Sequence, residues 1–221
     1  MVPVHAVLLD AAGTLLSPRV PIADTYGRVA RAHGAEVADD EVSARLRGAM
    51  QHHRERRGEP SWRAYWGEVV RETTGCDAPA ILDELYELYA HASAWRVAEG
   101  AQAFAEQMAA AGIRTAVVSN WDLRLRPLLA ELGVMAWVDL IVVSAEEGVE
   151  KPDPEIFART CRRLRIAPGH AIHVGDSYDH DIEGARAAGL RALHFGDDVE
   201  DFAALARRLA TASPPACTKS S

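Results

Sequence analysis

Val4-His5-Ala6-Val7-Leu8-Leu9-Asp10-Ala11-Ala12-Gly13-Thr14-Leu15 is the stretch that decides the fold. Residues 4–9 form a short, mostly apolar run bounded by Pro3 and Gly13, too brief for a helix and suited to a strand buried on both faces. The run stops at Asp10, which places a carboxylate at a strand's carboxyl end. Four similar runs follow at 115–118, 140–143, 171–174 and 191–195, each preceded by a helix-like segment. Those segments span 100–111, 123–132, 154–164 and 181–188, and Gly112, Gly133 and Gly189 stand where helices stop. Strands alternating with helices predict right-handed crossovers, and so an α/β fold built on a Rossmann-like parallel sheet.

Residues 17–98 break that alternation, with helical periodicity at 22–33, 40–53, 62–73 and 80–92. The expected organisation is therefore a core from 1–16 and 99–210, an all-helical unit at 17–98, and a tail at 211–221. The tail, Thr-Ala-Ser-Pro-Pro-Ala-Cys-Thr-Lys-Ser-Ser, lacks apolar periodicity and is expected to be disordered. Trp62 and Trp66, one helical turn apart, are expected in the core of the helical unit. A chain of 221 residues can bury one substantial core with a smaller insert.

Composition narrows the function. With 48% apolar and 25% charged residues the chain folds, and its net charge of −8 repels a polyanion, so nucleic acid is not an expected partner. Cys76, Cys161 and Cys217 lie too far apart for a C-x-x-C pair or a disulfide scaffold, and are read as thiols in a reducing compartment. The amino terminus has no basic segment, and its apolar run is far below the roughly 20 residues that span a bilayer. No membrane partner is expected, and the location is read as cytoplasmic.

Ligands of open parallel sheets sit beyond the carboxyl ends of the strands. Polar residues cluster there: Asp10 through Thr14, then Ser119-Asn120, then Lys151-Pro152-Asp153-Pro154, then Gly175-Asp176 followed by Asp181. Together they supply a carboxylate nucleophile, a hydroxyl, an ammonium and further carboxylates, a set suited to phosphoryl transfer through an aspartyl phosphate with a divalent cation. Lys151 carries a separate argument. Lys151 and Lys219 are the chain's only lysines among 24 basic residues, so the one in the body marks a place where a compact ammonium fits and a planar guanidinium does not.

Over residues 4–196 these four motifs, in this order, resemble the haloacid dehalogenase-like (HAD) superfamily, in the branch with a helical cap inserted after the first strand (subfamily I, C1 cap). The resemblance implies that Asp10 is the nucleophile and that Asp10 and Asp176 hold Mg²⁺ with the backbone carbonyl of Ala12. It implies that Ser119, Asn120 and Lys151 hold the phosphoryl oxygens, that Thr14 braces the turn, and that Asp181 orients a water on the metal. The substrate would be a small phosphorylated molecule. Trp121, directly after Ser119-Asn120, is read as pocket wall or as packing between the two units. His173 and His194, inside strands, are read as hydrogen-bonded structural residues.

One position departs from the pattern. Phosphatases of this family usually carry a second aspartate two residues after the nucleophile, as acid and base, and here that position is Ala12. Its carbonyl can still meet a metal, so what is lost is proton transfer, worth about 10²- to 10⁴-fold in rate. Haloacid dehalogenases also lack that aspartate, but they need no metal and do not usually present the Asp176 and Asp181 pattern, so a dehalogenase is the less favoured alternative. Phosphonoacetaldehyde hydrolases share the alanine but need a cap lysine, and residues 17–98 contain none. Two further readings stay open: a phosphatase that is slow, restricted to good leaving groups or supplied with an acid from His52 or His53, and a regulatory protein that binds phosphate and metal without turnover. Arg54, Arg56 and Arg57 beside those histidines are read as a solvated face or as anion recruitment.

Overall fold

The structure is a computed structural model, and it describes residues 2–52 and 61–212. His53 and Arg54, Arg56 and Arg57 lie outside the described residues. The chain divides into two compact units, one made of residues up to Ser17 together with those from Val97 onward, the other of Pro18–Arg96.

The first unit is an α/β layered structure. Ala6–Leu9 (β1), Arg114–Ser119 (β4), Leu140–Val143 (β5), Ala171–Gly175 (β6) and Arg191–His194 (β7) form one parallel sheet, ordered β5-β4-β1-β6-β7. Two shorter strands, Leu16–Pro18 (β2) and Trp95–Val97 (β3), pair with each other where the chain leaves and re-enters this unit. The apolar run read from the sequence is β1, and it is central: Ala6, Val7, Leu8 and Leu9 are all fully buried. Such burial on both faces is why the run carries no alternation.

One face is filled by Ala6, Leu8, Ala116, Val118, Val142 and Ala171 from the strands, by Ile156, Phe157, Cys161 and Leu164 from the helix Pro154–Leu164 (α8), by Ala185 from the helix Gly184–Ala187 (α9) and by Ile182 from the turn just before it. Strand side chains alternate between faces, so the parity of Ala6 and Leu8 carries Asp10 to this same side. Cys161 lies in this core, and burial pushes its thiol up to about 11. Ala101–Ala110 (α5) meets β4 and the carboxyl-terminal helix Phe202–Ala212 (α10), with the Phe104 and Phe202 rings 5.5 Å apart.

α10 was not expected, although Phe202, Leu205 and Leu209 recur at helical spacing and are buried. Thr211 and Ala212, expected in the tail, close this helix, and the rest of the tail lies outside the described residues. The helix expected at 181–188 also differs. It is a π-helical turn, Tyr178–Glu183, running into α9, with Ser177 Oγ accepting from His180 N–H at 3.3 Å.

The second unit is all-helical, from Ile22–Ala32 (α1), Asp39–His52 (α2), Trp62–Thr74 (α3) and Pro79–Leu88 (α4). Tyr26, Val29, Val42, Leu46, Tyr65, Val69, Ile81 and Leu85 form its core, and Trp62 and Trp66 pack against it as expected. Among the described residues no helix is long and apolar enough to cross a membrane.

Candidate active site

The four motifs meet at the carboxyl end of the sheet in the first unit. Ala11 O accepts from the amides of Thr14, Leu15 and Leu16 at 3.4, 2.9 and 2.7 Å, so the chain folds back tightly after Asp10. The backbone therefore makes this turn. Thr14, expected to brace it, is buried, but its Oγ1 has no hydrogen-bond partner among the described residues. Gly13 sits at φ +83°, and a Cβ there would stand 2.1 Å from Asp176 Oδ2. The glycine thus lets the Asp176 carboxylate close over the turn.

Lys151 is almost fully buried, and its ammonium donates to Asp10 Oδ1 at 2.6 Å and to Asp181 Oδ1 at 2.5 Å. Asp181 Oδ1 also accepts from His173 Nε2 at 2.8 Å, and its Oδ2 from Ser177 N–H at 3.0 Å. The π-helical turn accounts for this reach: it bends Asp181 back to the amide four residues earlier, and such turns recur at functional sites. The position expected to orient a water therefore has both oxygens held by protein donors.

The Asn120 side chain is engaged with the chain segment that carries Lys151. Its Nδ2 donates to Lys151 O and its Oδ1 accepts from Lys151 N–H, both at 2.7 Å, so the amide clamps the backbone that carries the ammonium. Ser119 is buried at the end of β4. Trp121, half-buried, is tied through its backbone, donating N–H to Ser144 Oγ at 3.1 Å while that hydroxyl donates to Trp121 O at 3.2 Å. His194 Nε2 lies 2.9 Å from the backbone carbonyl of Asp176, while His52 in the second unit pairs with Glu72.

Three carboxylates around one ammonium leave the pocket short of positive charge. Burial, and then the Asp181 charge, raise the Asp10 carboxyl despite Lys151, and burial with Asp10 and Asp181 pushes Asp176 up to about 6. Burial works against the charges of Asp181 and Lys151 as well. Lys151 and His173 nonetheless hold Asp181 below the usual carboxylate range, and the two carboxylates hold the Lys151 ammonium above its ordinary value. One oxygen each from Asp10, Asp176 and Asp181 lie within 4.8 Å of one another. An all-oxygen, net-negative cluster of this kind fits a hard divalent cation. Sequence reasoning missed Gly13 as the gate for Asp176 and His173 as a partner of Asp181. The signals were a glycine one residue past the missing aspartate and a lone polar residue inside an apolar strand.

Residues 4–189 match the haloacid dehalogenase-like hydrolase family. The chain belongs to the haloacid dehalogenase-like hydrolases. It is 36% identical over 198 residues to the mouse "Haloacid dehalogenase-like hydrolase domain-containing protein 3", covering 83% of this chain and 78% of that protein. It is also 37% identical over 99 residues to the "Glyceraldehyde 3-phosphate phosphatase" of Methanopyrus kandleri, covering 39% and 42% respectively. In three dimensions it is similar to the HAD-hydrolase YfnB of Bacillus subtilis bound to magnesium, with TM-score 0.72 at 19% identity over 94% of this chain and 99% of that one, a likeness of fold.

Within this haloacid dehalogenase-like framework the Gly13→Ala substitution separates folding from ligand binding. The methyl group forces the Asp176 carboxylate aside and strains the left-handed backbone by about 1–2 kcal/mol. The melting temperature is expected to fall by about 2–8 °C. Divalent-metal binding, read by titration calorimetry, is expected to disappear.

Proposed function

We propose that the protein is a Mg²⁺-dependent phosphatase of a small phosphorylated molecule, acting through an aspartyl phosphate on Asp10. The observation that supports this most is the buried Lys151 ammonium bridging Asp10 and Asp181 next to Asp176. Lys151 holds Asp10 Oδ1 and so fixes the rotation of the nucleophilic carboxylate. An ammonium has three hydrogens, and with two committed to Asp10 and Asp181 the third is left for a phosphoryl oxygen. Asp10 forms a bond to phosphorus as the bond from phosphorus to the leaving oxygen breaks. The leaving group takes that electron pair, and its proton comes from solvent because Ala12 supplies none. Water then attacks the phosphorus of the acyl phosphate, loses a proton to solvent, and releases phosphate with Asp10 restored. Asp10, Asp176 and the Ala12 carbonyl would hold Mg²⁺, which when bound neutralises charge on the transferring group. The helical unit at 18–96 acts as the specificity-setting cap, and thiols at Cys76 and Cys161 suit a reducing cytoplasm.

Ala12 makes leaving-group quality decisive. Acyl phosphates, whose leaving carboxylate needs no proton, are expected to turn over faster than alkyl phosphates, and chelation is expected to stop both. Ala12→Asp is expected to raise alkyl phosphate turnover by about 10²- to 10⁴-fold. Turnover that survives chelation would overturn this reading. Ala12 also motivates a second one, a regulatory protein that binds without turnover. It is favoured if beryllium fluoride, a mimic of the aspartyl phosphate, raises the melting temperature only with Mg²⁺ while no phosphate compound is hydrolysed.

A further inference from the structure

We propose that His173 is a positioning residue of this site: it fixes the Asp181 carboxylate so that Lys151 is delivered to Asp10. Its kinetic readout rests on the phosphatase reading above, whereas the geometry does not.

His173 lies in β6, in register with Leu8 of β1, and is the one polar side chain of Ala-Ile-His-Val-Gly. It is fully buried. An ionised carboxylate has no hydrogen to give, so Nε2 donates to Asp181 Oδ1 across 2.8 Å. Its Nδ1 has no hydrogen-bond partner among the described residues, so the imidazole's polar bonding goes to Asp181. Phe157 meets the ring edge-on, with centroids 4.9 Å apart at 70°, and sets its plane. Three donors therefore hold Asp181: Lys151, His173 and the Ser177 amide. His173 and Ser177 belong to β6 and the turn after it, and they make the frame against which the lysine is placed. Without the imidazole the carboxylate pivots about its bond to Ser177 and draws the ammonium off Asp10. Partners that orient a ligating or catalytic group in this way are worth about 10- to 100-fold in affinity or activity.

The test uses His173→Gln, His173→Asn and His173→Leu in the full chain. Glutamine Nε2 stands as many bonds from Cβ as histidine Nε2, whereas asparagine places its amide where Nδ1 lies. The first readout is acylation of Lys151 by an N-hydroxysuccinimide acetate, followed by peptide mass spectrometry against Lys219, the only other lysine. The second is steady-state hydrolysis of an acyl phosphate with Mg²⁺. Glutamine is expected to keep Lys151 as protected as in the wild type, with nearly native kcat. Asparagine and leucine are expected to speed acylation and lower kcat by about 10- to 100-fold, with KM little changed. The proposal is overturned if asparagine and glutamine behave alike, or if leucine leaves Lys151 fully protected. The Asn/Gln pair keeps the comparison decisive should the leucine variant fail to fold. A wild type without Mg²⁺-dependent turnover would remove the phosphatase reading, while the order of acylation rates would still decide the role of His173.

Discussion

Asp10→Asn is expected to lower turnover by about 10⁴-fold or more, since it replaces the carboxylate proposed to attack phosphorus by an amide of nearly the same shape. The amide oxygen can still accept from Lys151 Nζ where Oδ1 now lies at 2.6 Å, so the fold has no reason to rearrange. Stability is expected to move the other way. The Asp10 carboxyl is raised by burial and by Asp181, which means that folding penalises its charged form at neutral pH. A neutral amide removes that penalty and also relieves Asp176, whose raised value is due in part to Asp10. The melting temperature of the metal-free variant should therefore match or exceed that of the wild type, an instance of catalytic sites trading stability for activity. Acid-quenched protein should carry trapped phosphate in the wild type and none in the variant. Turnover of the asparagine form within about tenfold of the wild type would remove Asp10 from the chemistry.

Lys151→Ala carries the largest stability effect. The ammonium is the counter-ion shared by two buried carboxylates, and removing it leaves Asp10 and Asp181 facing each other beside Asp176. Breaking a buried pair in this way costs about 3–5 kcal/mol, or about 6–20 °C in melting temperature for a chain of this size. Turnover should be lost with it. Lys151→Arg should rescue neither property, because a planar fork cannot occupy the point between two carboxylates that a compact ammonium fills. Added Mg²⁺ should recover part of the lost stability by supplying positive charge to the same oxygens. The cycle with Asp181→Asn discriminates: the double variant should be less destabilised than the two single effects together, since the second change removes the charge that the first left unpaired. Additive effects would mean that the contact does not carry the stability assigned to it.

How far the sequence could be read followed from the physics of each residue. The buried strands were legible because a parallel sheet covered on both faces needs unbroken apolar runs, and β1 is one, with all four residues fully buried. The site was legible as a set of positions because the topology brings strand ends together. Side-chain direction was harder. Ser119 and Asn120 are expected from the sequence as anion ligands, but the bonds of the Asn120 amide to the Lys151 backbone join residues 31 apart, and no local pattern contains them. Asp181 was placed on a helix by periodicity. The π-helical turn that brings it to the Ser177 amide depends on tertiary partners, Lys151 and His173, which no local pattern contains. The apolar spacing of α10 is present in the sequence as Phe202, Leu205 and Leu209, all buried, but no further strand follows the helix among the described residues, and so it falls outside the strand–helix alternation.

The paired strands at the point of insertion have a consequence for how this protein can vary. Leu16–Pro18 and Trp95–Val97 run side by side, with Ala98 N–H on Leu15 O at 2.8 Å and Arg19 N–H on Ala94 O at 2.8 Å. The sheet thus sees the helical unit as though it were a hairpin loop, whose closure cost rises only slowly with what it contains, by about 0.6 kcal/mol for each doubling of length. The unit can be lengthened, shortened or exchanged for a foreign module at this stem while the register of the five parallel strands stays the same, which makes the stem the natural joint for building chimeras.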